Sequence, residues 1–253
     1  MHERVISNPS SQSIASKTSC PDTPFTIENI SKIRENPFHS IQNMLLGSEN
    51  EACREIHHIL DEYAIAKDDN PSSKLVILDM TTATEGRDHK ACQRISKQLG
   101  IHILIGTTCP IDNPSRNDLT NSSSMDDLQY NMEHMERELK YGIGTKSEDD
   151  YKNLTSPENK TIRCSFCGPV YISEDFSLAE QNELKAYAAV HGASKAPLVV
   201  TAPSLSTVSE LLDVVVSSGG IASKIILAHA DLLVHRQAKK ESDMVSALAV
   251  LRE

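Results

Sequence analysis

The chain opens Met1-His2-Glu3-Arg4. On a β-strand, side chains two apart share a face, so His2 and position 4 are placed to act together. Two imidazoles at that spacing would clamp a divalent cation. Arg4 cannot join such a clamp, because a guanidinium is a permanent cation with no lone pair to donate. A second candidate is Cys164-Ser-Phe-Cys167, which has the C-x-x-C spacing of zinc and redox sites. A structural zinc needs a second ligand pair, and none follows. The pair also lies in an extended apolar stretch rather than at a helix N-terminus, where a thiolate would be stabilised. A third candidate is His229, at the end of the run Ser223–Asp231. It reads either as an acid/base or metal ligand or as a polar residue bonded to a neighbouring loop.

These residues sit in a chain of 253 residues, long enough to bury a sizeable core. Hydrophobic residues make up 39% and charged residues 24%, an ordinary composition for a soluble protein. The net charge of −10 repels phosphate backbones, so a nucleic-acid partner is not expected. No apolar run approaches the roughly 20 residues that span a bilayer, so no membrane partner is expected. The N-terminus lacks a charged-then-apolar leader, which points to the cytoplasm. The six scattered cysteines (Cys20, Cys53, Cys92, Cys109, Cys164 and Cys167) do not suggest a disulfide framework.

The elements that must position the candidates alternate. Short Val- and Ile-rich runs at 75–80, 101–106, 161–167, 197–202 and 224–229 read as strands buried on both faces, hence parallel. Amphipathic segments separate them. Asn50–Asp68 carries an apolar stripe. Asp88–Gly100 starts on a capping Asp and stops at Gly. Ser177–Gly192 does the same, with Glu180 completing a capping box. Ser206–Gly220 and Asp126–Tyr141 complete the set. Repeated βα units imply a parallel sheet, doubly wound or closed as a barrel. No G-x-G-x-x-G or Walker loop supports the doubly wound alternative. Polar stretches near 5–36, 112–125 and 145–160 read as surface insertions, and the chain reads as a single domain over 1–253.

In a barrel the strand C-termini build the active site. They carry Thr81-Thr82, Thr107-Thr108-Cys109, Gly168-Pro169, Thr201-Ala202-Pro203 and His229-Ala230-Asp231. Several stretches resemble the phosphotriesterase-related proteins of the amidohydrolase superfamily. They are Val76–Thr108, Ile162–Val200, Ile225–Leu233 and the opening Met1–Ser7. The resemblance implies a (β/α)8 barrel of the metal-dependent hydrolase kind, with a two-metal centre, usually zinc. In such a centre two cations share a hydroxide and lower its pKa, making a nucleophile.

Carried over position by position, the resemblance keeps His2 and His229 as metal ligands. Arg4 stands where a second histidine is expected, Pro169 where a bridging glutamate is expected, and Thr201 where a third histidine is expected. Thirty-two residues separate Pro169 from Thr201 and twenty-eight separate Thr201 from His229, the spacing of the family. The family's strand-eight aspartate finds no counterpart, so no catalytic residue is assigned. His191, Asp231 and His235 are the substitutes at hand. Of these, His191 precedes a strand and belongs at the opposite end of a barrel.

Two expectations follow. The fold is an incomplete TIM-type barrel, with five full strands, a stub at His2 and open edges that a second copy could pair. The function is, by descent, zinc-dependent hydrolysis of a small ester or amide, weak or lost in this chain. The competing expectation is a non-catalytic pseudoenzyme that keeps the scaffold and binds a small molecule.

Overall fold

A computed structural model of the chain describes residues 2–3, 26–28, 31, 47–66, 75–109, 125–145, 161–230 and 233. The chain packs as two compact units, Met1–Ile105 and Gly106–Glu253. Every described strand pairing is parallel.

In the first unit, β1 (His2–Glu3) pairs with β2 (Val76–Asp79), setting His2 opposite Leu78. In turn β2 pairs with β3 (His102–Thr107), from Val76–His102 to Asp79–Ile105. Along β2, Ile77 and Asp79 are buried while Val76 and Leu78 are half-buried, the period of two that a pleated strand imposes. Helix α1 (Glu49–Ala66) buries Cys53 and Ile56, and α2 (His89–Leu99) buries Ala91, Cys92 and Ile95. The start of α2 is fixed by Asp88, whose carboxylate accepts from the Lys90 and Ala91 N–H groups. Its end is fixed by Gly100 at φ +65°. A two-pronged contact from Arg94 to Glu49 ties α2 to α1.

In the second unit, the last two residues of β3 pair with β4 (Phe166–Tyr171) as Gly106–Phe166 and Thr107–Cys167. Strand β4 pairs with β5 (Leu198–Thr201), and β5 with β6 (Ile225–Leu227). Helices α3 (Met125–Lys140), α4 (Leu178–Ser194) and α5 (Leu205–Ser217) supply the other layer. The core joins Leu184 and Tyr187 of α4, Leu211 and Val215 of α5, and the strand residues Cys167, Val170, Leu198 and Val200. Tyr171 and Ile226, outside that cluster, are exposed. No described helix is long and apolar enough to cross a membrane.

Four of the five expected strands fall within a few residues of their predicted places. The third does not, because the run 161–167 is mostly irregular and the strand is Phe166–Tyr171. The backbone before it bonds back to the end of α3 rather than to a strand. The Cys164 N–H donates to Glu138 O, the Ile143 N–H to Ile162 O, and the Thr161 hydroxyl to Tyr141 O. Pro169 therefore lies inside β4 rather than past its end. A register shift between Cys167 and Val170 accommodates it. Helix α4 also outruns its expected stop at Gly192, and Lys195 at φ +65° closes it instead. Gly192 serves packing, since a Cβ there would lie 2.1 Å from the Gly219 carbonyl oxygen. Helix α5 starts one residue earlier than expected, with Ser204 as its cap. The polar stretches 5–36, 112–125 and 145–160 lie almost entirely outside the described residues.

Candidate functional site

Three strand ends meet at one level in the second unit. Tyr171 is the register partner of Thr201, and the Ile172 N–H donates to Thr201 O at 3.1 Å. The Ala228 N–H donates to Val200 O at 2.8 Å, so His229 follows β6 beside the end of β5. Val170 and Val200 face the helix-side core, so Tyr171 and Thr201 lie on the opposite face of the sheet. His229 is exposed and sits at φ +57°, a left-handed conformation uncommon for a residue with a Cβ. Pro169 is buried after a cis Gly168–Pro169 bond. A Cβ at Gly168 would lie 2.4 Å from the Val199 carbonyl oxygen, so the backbones of β4 and β5 approach closely there.

The structure thus brings Thr201 and His229 onto adjacent strand ends, with Pro169 in the neighbouring strand. His2 is placed by its backbone alone, opposite Leu78. Arg4, Asp231 and His235 lie outside the described residues.

These residue types do not fit a zinc centre. Pro169 has no donor atom. The Thr201 hydroxyl is neutral and donates its proton to the Val170 carbonyl at 3.4 Å. Among the described residues, no group of three His, Cys, Asp or Glu side chains could hold a metal. His191 is no replacement ligand. It is fully buried in the last turn of α4, with Nδ1 2.5 Å from Ala196 O and Nε2 3.0 Å from the Ile221 N–H. Nε2 also lies 3.1 Å from the Ile221 carbonyl oxygen, so both ring nitrogens are engaged with backbone and the ring serves as a structural link.

The C-x-x-C cysteines are likewise structural. Both are buried. Cys164 Sγ meets Glu138 Oε2 at 3.5 Å, whereas Cys167 joins the helix-side core. Burial pushes the Cys167 thiol up to about 12, against a smaller opposing hydrogen bond from Ser194. Such a thiol is neither nucleophile nor ligand near neutrality.

Several polar groups that order the strand ends escaped the sequence reading. Asp79, fully buried, accepts from the Thr81 N–H (3.2 Å), the Thr81 hydroxyl (2.7 Å) and Cys92 Sγ (3.5 Å). A lone charge at the end of the apolar run Val76–Asp79 was the available signal. Thr107 donates to the buried Glu138 carboxylate at 2.7 Å. The Cys109 N–H donates to the Tyr187 hydroxyl at 2.9 Å, fixing the chain just after β3. Burial, then the nearby Cys109 and Glu183, push the Tyr187 phenol well above its ordinary value.

In sequence, the chain is 24% identical over 221 residues to a phosphotriesterase-related protein of Nematostella vectensis, covering 87% of this chain and 56% of that one. It is 22% identical over 219 residues to the N-acetyltaurine hydrolase of Xenopus tropicalis, covering 86% of this chain and 55% of that one. The chain therefore spans about half the length of the curated relatives it matches. No family model matches it. Among solved structures, a resiniferatoxin-binding protein from Rhodobacter sphaeroides superposes with a TM-score of 0.64 at 21% identity, covering 93% of this chain and 62% of that one. The phosphotriesterase homology protein from Escherichia coli, solved with phosphate in its active site, gives 0.60 at 15% identity, covering 99% and 76%. The fold is therefore that of the phosphotriesterase-like TIM barrels, of which the described strands supply a parallel part.

Proposed function

We propose, from the premise that this chain is a phosphotriesterase-related protein, that it is by descent a zinc-dependent hydrolase of small esters or amides whose activity is weak or lost. One observation carries this reading. Pro169 and Thr201, on adjacent strands, stand where the family resemblance calls for a carboxylate and an imidazole, and neither supplies a metal ligand. A catalytic zinc takes about three protein ligands and an open position for water. Of the expected set, His2 and His229 are left, and the cation of Arg4 would oppose a metal beside them.

The same substitutions favour a second reading, a pseudoenzyme that keeps the scaffold to bind a small molecule. Metal content separates the two. Native mass spectrometry of the purified chain is expected to find substoichiometric zinc, with little turnover of simple esters, amides or phosphotriesters. The triple variant Arg4→His, Pro169→Glu, Thr201→His is expected to bind zinc more tightly than the parent. Stoichiometric zinc with robust turnover in the parent chain would sink the proposal of lost activity. Equal zinc affinity in parent and triple variant would sink the assignment of these positions.

A further inference from the structure

At the opposite end of the second unit, where its strands begin, a cleft of about 450 Å3 opens between the last turns of α3 and α4. Leu139 and Lys140 of α3, Cys164 and Ser165 ahead of β4, and Ser194 of α4 line it, with Glu136 on the rim. We propose that this cleft binds a small organic anion, a carboxylate head on an apolar body. The site is separate from the strand-end residues discussed above and does not rest on the proposed function.

Three features support it. The first is charge. Arg163, Lys195 and Lys224, all exposed, precede β4, β5 and β6 at this end, and Lys140 joins them from α3. The Lys224 ammonium donates to the Lys195 carbonyl at 2.9 Å, which ties the residue before β6 to the end of α4. By contrast, the described residues that follow β3, β4, β5 and β6 include Glu174 and Asp175 and no Lys or Arg. Among the described residues, Lys or Arg thus precedes β4, β5 and β6, and none follows β3, β4, β5 or β6. The second feature is a donor. The exposed Ser165 lines the cleft with Lys140, whose ammonium lies 4.9 Å from the centre of the Tyr141 ring. The third is the floor, where Leu139 and two alanines offer apolar surface to the body of a ligand.

Two features oppose an anion, the Glu136 carboxylate and the carbonyl ends of α3 and α4. The carbonyl ends are partly satisfied, since Tyr141 O accepts from Thr161 and His191 O from the Lys195 N–H. In the lining the exposed Glu136 and Lys140 offset each other, and the exposed Arg163 and Lys195, next in sequence to the lining residues Cys164 and Ser194, tip the balance toward an anion.

The test is isothermal titration of the full chain with hexanoate, and with hexanol as the neutral counterpart. Saturable hexanoate binding is expected, with hexanol clearly weaker. Lys140→Glu should weaken hexanoate binding by about fivefold or more, the scale of a partly exposed charge reversed. Lys185→Glu, an exposed change on the middle of α4, should leave it unchanged. Should Lys140→Glu fail to fold, as judged by circular dichroism, Lys140→Met is read in its place. Absence of saturation, equal binding of hexanol, or indifference to the Lys140 change would each overturn the proposal.

Discussion

The Glu180 carboxylate accepts from the N–H and hydroxyl of both Ser173 and Ser177, at 2.7 to 2.8 Å, and so closes the loop between β4 and α4. Burial raises its pKa, but the hydrogen bonds from Ser173 and Ser177 outweigh that, and the net shift is downward from 4.5. A depressed folded-state pKa means stabilisation that is present above the unfolded value and lost as pH falls through the folded one. Glu180→Gln is therefore expected to lower the melting temperature at neutral pH, with the gap closing on acidification below 4.5. Glu180→Ala should cost about 1 kcal/mol in denaturant titration at pH 7, the scale of a lost helix cap. A second residue-scale expectation concerns Cys167. With its thiol near 12, it should resist disulfide reagents at pH 8 in the folded chain and react after unfolding. Labelling read by peptide mass spectrometry checks this. Rapid native modification would mean that the strand opens.

Gly192 sets two element-scale rules against each other. Helix propensity alone makes Gly192→Ala stabilising by about 1 kcal/mol. Packing makes it destabilising, because the new methyl would press on the Gly219 carbonyl, which belongs to the turn after α5. Contact with fixed backbone should win, with a net loss of about 1–3 kcal/mol as for an overpacked core. A stabilised variant would show that α4 and this turn can separate without cost. Strand β4 makes the same point. Its sequence passes through Gly168 and Pro169, which by local rules break strands, yet pairing resumes at Val170 and Tyr171 because β5 supplies partners.

For the whole molecule, the proposed loss of ligands has a thermodynamic consequence. A ligand that binds only the folded state stabilises it by RT ln(1 + [L]/Kd). A chain with poor zinc affinity should therefore melt at nearly the same temperature in a chelator and in micromolar zinc, by scanning calorimetry. A large upward shift with zinc would point to a complete site that includes residues beyond those described. The acidic balance carries its own expectation. With a pI near 5.5, solubility should pass through a minimum close to that pH, where net charge no longer keeps molecules apart.

Local pattern was enough for the elements and their parallel sense. Buried Val and Ile runs at 75–80 and 197–202, the Asp88 cap, the Gly100 stop and the Ser177–Glu180 box depend on neighbours a few residues away, so the amino-acid order encodes them directly. Likewise, the absence of donors at Pro169 and Thr201 is a property of residue type. The tertiary structure decided what depends on distant contacts. It started β4 at Phe166, because the preceding backbone bonds to the end of α3. It carried α4 past Gly192 and used up His191 between Ala196 and Ile221. It also set Tyr171 beside Thr201 by a register that shifts within β4. Bonds and close approaches between residues far apart in the chain leave no periodic trace in the sequence, so only the assembled fold reveals them.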